Sequence, residues 1–223
     1  MKSYLENRLK SLKPGNITSL RGITVVVRDE LEYDLDFEEL EDLIDNFKSH
    51  LISGIDYIIF GNFGELLSRG VAAVYDSGVI YVSSTQVNNS NVVDDVVHEI
   101  GHHVETKYEE YIYGDGAIRK EFLQKRKILS NEMEKHGFKI NPQLMSKVEF
   151  NEKLDDIFYK EIGYPMMTPI VQGIFYSPYG ATSLGEYFAN GFEAYFYHKD
   201  PYLKKVSPVL YSRIELLEME ASK

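Results

Sequence analysis

Val92-Val93-Asp94-Asp95-Val96-Val97-His98-Glu99-Ile100-Gly101-His102-His103-Val104-Glu105 is the stretch that decides how this chain is read. Val93, Val97, Ile100 and Val104 recur at three and four residues, the period of a helix with one buried stripe. Asn88-Asn89-Ser90-Asn91, just upstream, supplies capping residue types, so a helix is expected over 92–107. Residues four apart on a helix project from one face. His98 and His102 therefore stand one turn apart, offset from the apolar stripe. Two imidazoles so placed suit one zinc ion, and Glu99 beside them is placed to take a proton from a water that the ion activates. Chance alone gives an HExxH in roughly one or two such chains per hundred, so the capped, amphipathic context carries much of the weight. His103 lies about 100° around from His102 and reads as a spare surface histidine.

Working outward, residues 22–28 and 56–61 are β-branched or aromatic runs and read as strands. Residues 71–75 and 79–83 flank Asp76-Ser77-Gly78 and read as a hairpin. A helix is expected over 37–51, where Leu40, Leu43, Ile44, Phe47 and Leu51 are apolar at helical spacing, and another over 4–12. The second half reads as mostly helical, with helices over 117–136, 150–162, 184–197 and 209–218. The Pro- and Gly-rich stretch 164–182 reads as loop, apolar enough to form a packed wall or lid. The basic run Arg119, Lys120, Lys125, Arg126 and Lys127 reads as a solvated helix face, and His50, His136 and His198 as surface residues. The fold class expected is α+β, with a small mixed sheet in the N-terminal half. It forms a single domain with an N-lobe over about 1–112 and a helical C-lobe over about 113–223.

Composition narrows the chemistry. The 223 residues contain no cysteine, which excludes disulfides, zinc–thiolate sites and cysteine nucleophiles. Any metal must be held by His, Asp or Glu. Lys and Arg number 24 against 35 Asp and Glu, a formal net charge of −11. That sign argues against nucleic acid and anionic membranes as main partners. No apolar run reaches the 18 or so residues of a membrane span. The start lacks the apolar stretch of a secretory signal, so cytoplasmic synthesis is expected, with non-classical export or phage-associated delivery open.

A third metal ligand has to come from elsewhere, because the extended HExxHxxGxxH pattern fails: Glu105 stands where Gly is required and Tyr108 where His is required. The source is Leu184-Gly185-Glu186-Tyr187-Phe188-Ala189-Asn190-Gly191-Phe192-Glu193-Ala194-Tyr195-Phe196. Phe188, Phe192, Tyr195 and Phe196 form a core-packing face. A carboxylate on such a helix is costly to bury unless paired or bound to metal. Spacing leaves both Glu186 and Glu193 open.

At these residues the sequence resembles the anthrax-lethal-factor-like zinc metallopeptidases, a group that also includes the Pro-Pro endopeptidases. His98 to Glu105, HEIGHHVE, is similar to that family's HE-x-x-H-A-x-D/E. Tyr179-Gly180, followed by Glu186-Tyr187-Phe188-Ala189-Asn190-Gly191-Phe192, is similar to its YG…E-F-F-A-E-x-F. The resemblance implies a zincin-like fold of gluzincin type, one Zn2+ ion, and hydrolysis of a peptide bond in a protein or peptide substrate. It implies His98, His102 and Glu186 as metal ligands and Glu99 as general base. It also implies that the Tyr179 phenol steadies the oxyanion.

The chain departs from the family in three ways. His102 and Glu186 are 186 − 102 = 84 positions apart, a surplus placed in the helical insert over 117–162. Asn190 stands where the family has Glu, and His103 where a small residue is usual. The competing reading is a catalytically idle zincin-like interaction or structural module, for example phage-derived. Against it stands the joint presence of His98, Glu99, His102, Tyr179 and Glu186. A third reading is a zinc hydrolase acting on a non-peptide amide. Substrate specificity and oligomeric state are not legible in the sequence.

Overall fold

Isoleucine and valine dominate the first strands of the computed structural model, which describes residues 17–64, 66 and 70–219. The helix expected over 4–12 lies outside them. The described residues divide into two compact units, one running to His103 and the other starting at Val104.

The first unit is a five-stranded mixed sheet with helices. Its strands are β1 (Ile17–Leu20), β2 (Ile23–Val27), β3 (Tyr57–Gly61), β4 (Ala73–Asp76) and β5 (Val79–Ser83). They lie in the order β1-β2-β3-β5-β4. β2, β3 and β5 run parallel in the middle, and β1 and β4 pair antiparallel at the two ends. Both hairpins turn through two residues with positive φ, Arg21-Gly22 and Ser77-Gly78, the backbone of a type I′ turn. At Gly78 a Cβ would fall 2.8 Å from the Gly54 carbonyl oxygen, so glycine is required for space as well as for φ. β1 was not expected: three of its four residues are exposed, and no alternation marks it.

Alternation fills both faces of the sheet. Val25, Ile58 and Ile80 are in register on one face, and Val26, Ile59 and Tyr81 on the other. The second row packs with Leu66 and Val79 into one cluster. The helix expected over 37–51 is two helices, α1 (Phe37–Asn46) and α2 (Ser49–Ile52), broken at Phe47 and Lys48 by extended backbone. Asp36 caps α1 by accepting from the N–H groups of Glu38 and Glu39, the usual N-cap arrangement.

The HExxH helix α3 (Asn89–Lys107) is continuous. Asn88 caps it, its side chain accepting from the Asn91 N–H at 3.0 Å. The expected stripe Val93, Val97, Ile100 and Val104 is fully buried, with Val92 and Val96 alongside.

The second unit is helical: α4 (Glu109–Tyr113), α5 (Ala117–Lys135), α6 (Pro142–Met145), α7 (Glu152–Asp156), a π-helical turn over Ile157–Ile162, α8 (Tyr164–Val171), a 3-10 turn over Tyr179–Ala181, α9 (Leu184–Phe196), α10 (Tyr202–Val206) and α11 (Pro208–Met219). α8 corrects the reading of 164–182 as loop. Pro165 sits in its first turn, where a missing N–H costs nothing, and Pro169 removes one bond from a short helix. No helix among the described residues is long and apolar enough to cross a membrane.

The basic run on α5 needs a second correction. Lys125 and Arg126 are buried, Arg126 completely. Lys125 donates to the carbonyls of Ile174 and Val206 and to Ser207 Oγ. Arg126 donates to Thr182 O at 2.6 Å and, at 3.4 Å, to Leu144 O and Met145 O. Glu121, one turn back, accepts from the Val209 and Leu210 N–H groups and from the Tyr187 hydroxyl. The insert helix is therefore a strut through the second unit.

Candidate metal centre and catalytic residues

α3 carries both histidines of the HExxH and the glutamate between them. His98 and His102 project together, ring centroids 5.0 Å apart at 75°. His98 and Glu99 are buried and His102 half-buried. The Glu99 carboxylate is held: Oε2 accepts from the Tyr75 backbone N–H at 2.6 Å.

That bond fixes how β4 presents its backbone. The Ser83 N–H donates to Ala72 O at 2.8 Å, and Ala73 pairs with Val82. Antiparallel alternation then turns the polar groups of Ala72, Val74 and Asp76 toward β5, and those of Ala73 and Tyr75 toward the outer edge. The expectation that 71–75 lies at an edge agrees with the strand order, in which β4 comes last.

His103 corrects the reading of a spare surface residue. It is buried, with Nδ1 3.0 Å from the Tyr75 hydroxyl and Nε2 3.2 Å from Ser53 O. Its ring packs on Gly54 and meets the Tyr75 ring edge-on. His136 and His198 are exposed as expected, while His50 is half-buried.

In the second unit, Glu186 sits in the first turn of α9. Ser183 caps that helix by accepting from the Glu186 N–H at 3.1 Å. Ser183-x-x-Glu186 is the spacing of a capping box, a signal in the sequence for where α9 begins. Glu193, the alternative ligand, is engaged two turns on by His198 Nε2 at 3.2 Å. Glu105, the last residue of HEIGHHVE, accepts from the Tyr113 hydroxyl at 2.6 Å. Glu105 also lies against Gly185, where a Cβ would come 3.1 Å from Oε2. The end of the HExxH helix is thus beside the residue preceding Glu186. Burial and the Glu105 carboxylate push the Tyr113 phenol well above its ordinary range, so it stays a donor.

Tyr179 sits in a turn held from two directions. Its carbonyl accepts from Thr182 Oγ1 at 2.7 Å, and Arg126 holds the Thr182 carbonyl. From α9, Asn190 Oδ1 accepts from Ser177 Oγ at 2.8 Å, and Ser177 Oγ accepts from the Gly180 N–H at 3.2 Å. Asn190 therefore holds the Tyr179 turn.

Tyr164 packs edge-on against Tyr179, centroids 6.3 Å apart. Burial pushes the Asp155 carboxyl up, aided by the charges of Asp156 and Glu186, while Lys160 and a Tyr164 hydrogen bond oppose the shift. Sequence reading missed Tyr75, Ser177, Arg126 and Tyr164. Each acts through a backbone group or a distant partner, and no spacing rule reports either.

Compared with known protein families, curated proteins and solved structures, the chain matches none. The family resemblance rests on its two motif segments alone.

Proposed function

We propose that the chain is a zinc-dependent endopeptidase of the lethal-factor-like kind, with His98, His102 and Glu186 as metal ligands. The observation that supports this is the arrangement on α3: the His98 and His102 rings stand 5.0 Å apart, and the adjacent Glu99 carboxylate is held by the Tyr75 N–H. Two imidazoles and one carboxylate are a donor set that zinc accepts while retaining an open position.

When bound, the ion supplies Lewis acidity toward a substrate carbonyl and makes water a nucleophile near neutral pH. Glu99 takes the proton from the attacking water and returns it to the leaving amine. The Tyr179 phenol donates a hydrogen bond that strengthens as the carbonyl oxygen becomes negative, a contribution of about 3 kcal/mol for such donors. The outward backbone groups of β4 suit an extended substrate adding as a further strand.

The test measures zinc content and cleavage of a random peptide library for wild type, Glu99→Ala, Glu186→Ala and Glu193→Ala. Glu99→Ala should keep zinc and lose cleavage. Glu186→Ala should bind zinc at least about a hundredfold more weakly, since even outer partners of a ligand commonly cost ten- to a hundredfold. Glu193→Ala should bind as wild type does. Wild-type affinity in Glu186→Ala would sink the ligand set, and zinc bound with no cleavage by the wild type would favour the idle module.

A further inference from the structure

Glu99 and His103 are four residues apart, as His98 and His102 are, so α3 carries two side-by-side pairs about 100° apart. The first pair supplies the candidate metal ligands. Both members of the second pair are engaged by one residue of the edge strand, Tyr75: its backbone N–H holds Glu99, and its hydroxyl holds His103.

The protonation pattern follows from the partners. His103 Nε2 faces the Ser53 carbonyl, which only accepts, so Nε2 carries the hydrogen in the neutral ring. Nδ1 then accepts from the Tyr75 hydroxyl. The buried histidine is a fixed post to which the strand is fastened by its side chain. The Tyr75 N–H, by contrast, faces away from the sheet ladder. An edge amide of that kind ordinarily meets solvent, and here it is spent on a carboxylate at 2.6 Å, a short charge-assisted bond.

We propose that Tyr75 is a positioning residue for Glu99: its N–H aims the carboxylate, and its hydroxyl, anchored on His103, fixes the strand that carries that N–H. Aiming matters because a glutamate side chain surrenders rotamer freedom when it is fixed. A base already fixed in the resting protein does not lose that freedom during the reaction. The same bond limits the edge. The outward groups left for an added strand are the Ala73 N–H and C=O and the Tyr75 C=O, so pairing stops beside the base. The catalytic half of this inference rests on the peptidase reading; the hydrogen-bond half does not.

Two measurements test it. In the first, residue-resolved hydrogen exchange follows the Tyr75 amide in wild type and in Glu99→Ala. The amide should be protected in wild type and exchange roughly tenfold or more faster without the carboxylate. Equal rates would overturn the proposal, whether or not the protein cleaves anything. In the second, Tyr75 is replaced by its α-hydroxy acid, which turns that one amide into an ester and leaves the side chain in place. The expected result is a fall in kcat of about tenfold with KM and zinc content unchanged. Tyr75→Phe, which keeps the N–H and loses the anchor, should fall less. An ester variant that folds by circular dichroism and keeps kcat within twofold of wild type would reduce Tyr75 to a packing residue. A wild type that binds zinc without cleaving would end the peptidase reading, and the exchange result would still decide whether Tyr75 holds Glu99.

Discussion

Arg126 poses the clearest energetic question in the second unit: what a fully buried guanidinium contributes when its acceptors are carbonyls. The strong bond is to Thr182 O at 2.6 Å; those to Leu144 O and Met145 O are at 3.4 Å, and Nε has no partner among the described residues. Burial pulls the guanidinium pKa down to about 10, equivalent to about 3 kcal/mol against the charged form. Arg126→Met keeps most of the volume and removes the ion. It leaves Thr182 O without its donor, at about 2 kcal/mol, and the two weakly bonded carbonyls add about 1 kcal/mol together. Release of the buried charge offsets a similar amount, so Arg126→Met should lie within about 1 kcal/mol of wild type, as hydrophobic replacements of buried ions often do. Arg126→Ala has the same electrostatic balance and leaves a cavity, so it should lose about 4 kcal/mol, roughly 10 °C in Tm for a chain of this size. Urea titration followed by far-ultraviolet circular dichroism separates the two variants. Equal losses in both would refute the reasoning, because the carbonyls, not the volume, would then decide the cost.

Two further outcomes follow from the same unit. Burial lowers the Lys125 pKa from 10.5 to about 8, with Glu121 opposing. Between those values the unfolded chain holds a proton that the folded chain lacks, so this group's contribution to stability rises with pH from about 8 to 10.5 and is flat below. The urea midpoint of wild type relative to Lys125→Met should therefore increase between pH 7.5 and 9.5, and a constant difference would count against the assignment. At Gly180, a Cβ would fall 2.9 Å from Asn190 Oδ1, an atom already tied to Ser177. Gly180→Ala should cost about 1–3 kcal/mol by overpacking, with part recovered in Gly180→Ala/Asn190→Ala. A melting temperature unchanged from wild type would mean that the turn is looser than drawn.

The parts of the fold that the sequence announced are those governed by a period. α3, α9 and the β4–β5 hairpin follow from apolar spacing and a Ser-Gly turn, which are local facts. The failures share a cause too. Lys125, Arg126 and His103 are polar, and polarity alone predicts exposure. Their acceptors lie 49 and 81 residues away for Lys125, 56 for Arg126 at Thr182, and 50 for His103 at Ser53. A polar side chain is buried when distant backbone carbonyls converge on it, and no local window contains those carbonyls. The short strand β1 failed for the opposite reason: its ladder partners are near in sequence, but its exposed residues carry no apolar signature.

The candidate site divides the same way. The string HEIGHH holds two i, i+4 pairs, His98 with His102 and Glu99 with His103. The sequence reading uses only the first pair and takes His103 as a spare surface residue; what distinguishes the two pairs is what each faces. The first pair was interpretable because imidazoles four apart have a chemistry of their own toward a metal. The second has none until a strand residue is brought to it, and β4 is placed by the β5 ladder rather than by anything in α3. The third ligand sits between these cases. Glu186 and Glu193 were indistinguishable by spacing, and their surroundings differ: Glu193 meets His198, and Glu186 follows the glycine against which Glu105 packs. Spacing along a helix names the candidate donors, whereas the partners that hold each of them come from distant segments, outside any local window.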